Sequence, residues 1–281
     1  LLFDDLLFPR IMRLRSVLAV FLSLLGAGVS QAADGFAQAW RWVAEQRYAE
    51  ARAAFEPAVT AGGAGAREAR LGLAVALLGV QPKTQGNVSR AREVLAPLAG
   101  EESADEWALQ ARYFLGRIAE LHEREPDLAL ARRFYRGLFE EHPGAPIAQA
   151  AAVKYVLLAL NAVEPPATKR ATIARMETLS ALFVEPSARR DYHVVMAYGY
   201  LRHAPEELAS ARRHALAAEA AGFTDAERRR SNLLRIAELS RALDDTATAR
   251  AYYEQFLAEA ARDTRALLVR ERLAALPPSA P

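Results

Sequence analysis

The sequence predicts an all-α fold, a stack of about six helical hairpins closed by a C-terminal helix, and three observations predict it. Alanines return at near-regular intervals, Ala51, Ala91, Ala131, Ala174, Ala211 and Ala249, 37 to 43 residues apart, close to the length of a two-helix repeat. Four and seven residues after each alanine, on the same helical face, stand Phe55 and Ala58, Leu95 and Leu98, Tyr135 and Leu138, Thr178 and Ala181, Ala215 and Ala218, Tyr253 and Phe256. Upstream of each, a second small residue (Ala39, Gly72, Gly116, Ala159, Gly199, Ala237) marks a helix that can approach its neighbour closely.

The first hairpin runs from Phe36 to about Thr60. Its Trp40 and Trp42, two apart, cannot share a helix face, so one belongs in the repeat interface and the other is half exposed. Residues 61–65 (AGGAG) close it as a flexible turn. Leu71 to Leu78 is almost continuously apolar and predicts a helix buried on most sides. A loop with Pro82 and Gly86 follows, and Pro97 is expected to end the next helix. The third hairpin is expected to start at Ser103, as an N-cap with Glu106 as its capping-box partner, and to stop at His142-Pro143-Gly144. Pro165-Pro166 interrupts the fourth hairpin, and Glu185-Pro186-Ser187 separates it from the fifth. In the sixth, Asp244-Asp245-Thr246 opens a helix, because short oxygen-bearing side chains accept its free N–H groups. Asp263 to Leu276 reads as a final amphipathic helix with a polar outer face, and residues 277–281 as a disordered tail.

At the other end, residues 12–32 read as a secretory signal. Met12, Arg13 and Arg15 form the positive head, Val17 to Leu25 the short apolar run, and Ser30-Gln31-Ala32 a small-x-small cleavage site. The run is short for a bilayer span, so cleavage after Ala32 is expected rather than a retained anchor. Residues 1–11 precede this head and read as an upstream extension, leaving 33–276 as the repeat domain and a periplasmic or secreted location. The chain has no cysteine, which rules out disulfides, thiolate metal sites and a catalytic thiol. From Ala33 on, 33 basic residues face 32 acidic ones, a balance that argues against a nucleic-acid or membrane-surface role. The run Arg228-Arg229-Arg230 is expected to be a solvated helix face.

Leu71-Gly72, Leu115-Gly116, Ala51-x3-Phe55, Ala131-x3-Tyr135 and Pro143 resemble the tetratricopeptide repeat (TPR) family, with its Leu-Gly pair, A-x3-F and closing proline in about 34 residues. Arg112 stands where the third unit would carry the family's first tryptophan, and the fourth unit keeps only Leu158-Ala159 and Ala174. The resemblance implies a right-handed superhelical stack whose first helices line a concave groove and hold a peptide or protein partner. Carried over by register, the third hairpin would present Gln110, Tyr113, Arg117 and Glu120 there. The fifth would present His193, Met196, Tyr200 and His203, and the sixth Ser231, Leu234, Glu238 and Arg241. Met196 and Tyr200 would otherwise be inter-repeat core.

Reaction chemistry is not indicated. The five histidines lack a second ligand at metal spacing, and no H-E-x-x-H, G-x-S-x-G, G-x-G-x-x-G or phosphate loop occurs. The expected function is therefore a non-enzymatic interaction scaffold of the bacterial cell envelope, without cofactor or metal. Two alternatives stand beside it: an accessory helical domain of a cell-wall-processing enzyme complex, and self-association through Val153, Val156 and Leu160 of the fourth hairpin.

Overall fold

The computed structural model describes residues 36–63, 65–100, 105–161 and 166–277. The signal-peptide reading of residues 12–32 and the extension before it lie outside the described residues. Among the described residues the chain is all-α, with thirteen α-helices and no strand. None of these helices is long and apolar enough to cross a membrane. The chain divides into two compact units, one ending at Leu158 and the other beginning at Ala159.

In the first unit α1 (Ala37–Ala44) pairs with α2 (Tyr48–Ala61), α3 (Ala66–Gly79) with α4 (Gln85–Gly100), and α5 (Glu106–Leu121) with α6 (Leu128–Glu141). The first helices of successive hairpins also touch, α1 with α3 and α3 with α5. Helix α7 (Pro146–Asn161) follows. The second unit contains α8 (Pro166–Glu177), a short 3-10 turn (Ser180–Leu182), and the pair α9 (Pro186–His203) and α10 (Leu208–Ala221). It ends with α11 (Ala226–Ala242), α12 (Thr246–Glu259) and α13 (Ala266–Ala274).

Aspartates start four of these helices. The side chains of Asp105, Asp127, Asp225 and Asp245 accept from the N–H groups of Ala108, Leu130, Arg228 and Thr248 at 2.7–3.1 Å, satisfying donors that have no partner inside the helix. The third hairpin is thus capped by Asp105; Ser103, expected as its cap, lies outside the described residues. Helix α4 does not stop at Pro97 either but runs to Gly100. Two hairpins close with three-residue turns, in which Gln46 (φ 61°) and Asp244 (φ 58°) take the left-handed conformation. Aspartate tolerates that conformation better than most side chains.

Five of the six repeating alanines are fully buried, and so are Phe55, Tyr135, Tyr253 and Phe256. Helices α11, α12 and α13 share one apolar cluster built from Leu233, Leu234, Ala237, Ala249, Tyr253, Phe256, Ala266, Val269 and Leu276. The tryptophans divide as expected: Trp40 is buried with its ring centroid 5.2 Å from that of Phe55, while Trp42 is half exposed. Arg112 ties its guanidinium to the Ala99 carbonyl and to Glu141, both at 3.0 Å.

Two expectations are corrected. Ala174 and Thr178 are exposed, because α8 buries Lys169, Thr172, Ile173 and Met176 instead. That stripe at i, i+3, i+4 and i+7 places Lys169 where the other hairpins carry alanine. The Arg228–Arg230 run is half exposed and also ion-paired. Arg228 pairs with Asp191, Arg229 with Glu219 and Glu259, and Arg230 with Glu227, each at 2.7 Å. The outer face of α13 carries Leu267, 67% exposed, so it is not wholly polar.

These placements give opposite outcomes for one substitution. Ala249→Leu forces bulk into a filled crossing and is expected to cost about 1–3 kcal/mol, whereas Ala174→Leu on the exposed face is expected to stay within about 0.5 kcal/mol of the parent. Urea titrations of the two variants check this, and equal losses would mean that the alanine register of α8 has been misplaced.

Candidate functional site

Six of the eight residues assigned to a partner-binding surface (Tyr113, Arg117, His193, Tyr200, Glu238 and Arg241) belong to or pack against three carboxylate-centred networks. In the first unit, buried Glu120 on α5 accepts from the Tyr135 hydroxyl of α6 at 2.7 Å, from Arg117 at 3.3 Å and from Lys154 of α7 at 3.3 Å. The ring of Tyr113 lies 5.6 Å from that of Tyr135. Burial, together with the Glu120 carboxylate, raises the Tyr135 hydroxyl far above the ordinary phenol range.

A matching network occupies the end of the second unit. Glu238 on α11 accepts from the Tyr253 hydroxyl of α12 at 2.6 Å, from Arg241 at 3.1 Å, and from Arg272 of α13. Both networks obey one spacing: the tyrosine lies 15 residues after the glutamate and the cation 34 after it. Each therefore stitches the two helices of a hairpin to the first helix that follows.

The third network is built differently. Glu177, the last residue of α8, accepts from the Tyr200 hydroxyl of α9 at 2.6 Å and from Arg213 of α10 at 2.8 Å. His214 Nε2 lies 2.9 Å from the same oxygen, and its Nδ1 lies 2.8 Å from Nδ1 of His193. With Nε2–H of His214 donating to Glu177, a neutral His214 offers Nδ1 as acceptor, so Nδ1–H of His193 donates. Burial opposes ionisation of Glu177, but the bonds from His214 and Tyr200 and the charge of Arg213 outweigh it and hold the carboxyl at about 2. Burial, reinforced by His214, lowers His193 to about 4. Burial also lifts Tyr200 to about 12, aided by its bond to Glu177. With both imidazoles protonated, two N–H groups face each other across 2.8 Å and the link breaks.

The surface carried over by register is therefore not laid open along the first helices. Tyr113, Arg117, Met196, Tyr200 and Glu238 are buried, because these helices are packed on by the next hairpin as well as by their own partner. His193, His203 and Arg241 remain half exposed. Val153, Val156 and Leu160 are buried within the chain too, which removes them as a self-association surface. Sequence reading overlooked Glu177, His214, Lys154, Arg272 and Arg235. The shared spacing of Glu120–Tyr135–Lys154 and Glu238–Tyr253–Arg272 was a signal that could have found two of these, Lys154 and Arg272, from sequence alone.

Two half-buried histidines, His193 of the third network and His122 at the end of α5, predict acid sensitivity. His193 and His122, both lowered to about 4 chiefly by burial, bind fewer protons folded than unfolded below their ordinary value of 6.5. Their contribution to stability is full above pH 6.5 and is lost as pH falls toward 4. Glu177 loses its own contribution between about 4.5 and 2. The melting temperature is expected to fall between pH 7.5 and 5, and to fall less in a His122→Gln/His193→Gln double variant. An identical pH profile in the two proteins would remove these histidines as the cause.

Among the described residues no three His, Asp or Glu side chains converge to hold a metal ion. Comparison with family models, with curated proteins and with solved structures finds no match.

Proposed function

We propose that the chain is a non-enzymatic protein–protein interaction scaffold of the bacterial cell envelope, exported by the signal in residues 12–32. In this reading its TPR-like hairpins form a right-handed superhelical stack and bind a partner peptide or protein on the side of the first helices. The observation that carries the reading is the 15- and 34-residue spacing of the Glu–Tyr–cation networks. A brace of the same 34-residue span occurs in both units, each time tying a hairpin to the helix that follows it, the kind of neighbour contact on which repeat architectures depend. Such arrays put their binding function on surfaces shared by neighbouring hairpins. The residues of the second unit that carry the contact in this reading are His193 and His203 on α9 and Arg241 on α11, each half exposed.

Site-specific photo-crosslinking in cells producing the full chain tests this. A photoreactive residue at His203 or Arg241 is expected to trap one discrete partner protein, and the same residue at exposed Glu254 on second helix α12 is not. No adduct at either first-helix position, or the same adduct from Glu254, would reject the binding surface. The N-terminus of the exported chain is expected at Ala33.

A further inference from the structure

The guanidinium of Arg235 is buried, 3% exposed, and among the described residues it faces no carboxylate. Its NH1 donates to Asn232 Oδ1 at 3.0 Å, its NH2 donates to the Tyr198 hydroxyl, and its Cζ lies 4.1 Å from the centroid of the Tyr198 ring. Its Nε–H has no acceptor. A buried charge without a counter-ion is among the costliest features a fold can carry.

A comparison within the chain shows how this arises. Arg235 precedes Glu238 by three residues, as Arg117 precedes Glu120, and both glutamates hold a tyrosine 15 residues on. Arg117 donates to Glu120 at 3.3 Å. In the later hairpin the Glu238 carboxylate is taken by Tyr253, Arg241 and Arg272, and Arg235 is left out. Its partner Asn232 donates in turn to Glu219, but Glu219 already neutralises Arg229. The covering group is Tyr198 of α9, which is half exposed, so rotation of one side chain uncovers the cation along the α9–α11 seam. Arg228 lies on the same seam, seven residues before Arg235, and is held by Asp191 of α9.

We propose that the α9–α11 seam is a binding site for an acidic side chain of a partner protein, whose carboxylate displaces Tyr198 and pairs with the NH2 and Nε edge of Arg235. Charge complementarity selects the occupant: a desolvated guanidinium whose Nε–H has no acceptor and whose NH2 is released when Tyr198 is displaced fits a bidentate carboxylate. The proposal rests on the reading of the chain as a protein-binding scaffold. It adds the chemistry of what is bound and the residue that binds it.

Two measurements on the full chain test it. In the first, the side-chain Nε–H resonance of Arg235, identified by its loss in Arg235→Met, is followed during titration with acetate and with a short Ala/Glu peptide. A saturable shift is expected with both, and none with the matching Ala/Gln peptide. No saturable shift, an equal shift with the Gln peptide, or a shift with inorganic phosphate alone would overturn it. In the second, Arg235→Met is expected to raise the melting temperature by about 2–4 °C, because it removes a charge with no ionic partner, whereas Arg117→Met is expected to lower it. A fall in both would make Arg235 a structural residue and overturn the assignment. Crosslinking from His203 that persists in Arg235→Met while the resonance stays unmoved would remove this site and leave the scaffold reading standing.

Discussion

Glu120→Ala is expected to destabilise the fold by about 3–5 kcal/mol, the cost of removing one partner from a buried ion pair. The carboxylate is the shared acceptor for the Tyr135 hydroxyl, Arg117 and Lys154. Without it a 5% exposed guanidinium and a fully buried phenol are left with their main acceptor gone. Glu120→Gln keeps an oxygen for Tyr135 but loses the charge that Arg117 and Lys154 neutralise, so a smaller loss is expected. Adding Arg117→Met to Glu120→Gln should recover part of it, since the stranded cation then disappears. Urea midpoints for the three variants measure this ordering. If Glu120→Ala proves as mild as a surface substitution, the network is not desolvated and its bracing role fails.

Gly72→Ala is expected to cost about 1–3 kcal/mol, although alanine is the better helix former. A Cβ at Gly72 would come within 2.3 Å of the Phe55 ring, which is fully buried on the preceding helix and has no room to withdraw. Gly137→Ala supplies the contrast. The nearest atom to its Cβ is the mobile carboxylate end of Glu141, at 3.5 Å. There the helix-propensity gain of about 0.5–1 kcal/mol is expected to survive. Opposite signs for two glycines, both within helices, would show that contact rather than propensity sets the outcome at Gly72. Equal signs would refute the close crossing of α2 and α3.

The sequence alone located the hairpins because helix starts, stops and apolar stripes are local signals. Asp245 announced α12 through its cap, Ala51 to Phe55 announced the core stripe of α2, and Pro186 announced the start of α9. Where local signals were thin, reading failed: the fourth hairpin lacks an aromatic plug, and Ala174 stood one face away from the buried stripe through Lys169, Ile173 and Met176.

Exposure of the candidate site was not legible in this way. Tyr113 and Arg117 share one face of α5, and Met196 and Tyr200 one face of α9, and their spacing says so, but a shared face is exposed or buried according to what the next hairpin lays on it. The three networks arise from pairings 15 to 37 residues apart, as between Glu177 and His214, or Glu120 and Lys154.

Sequence periodicity by itself determined an all-α chain of paired helices, since it fixes which residues one helix can place on one side. Only the tertiary structure decided which carboxylate each buried cation received, and that it gave Glu120 to Arg117 while leaving Arg235 without one. Charge pairing in a packed interior depends on distance and desolvation across several elements at once, and no single helix encodes either.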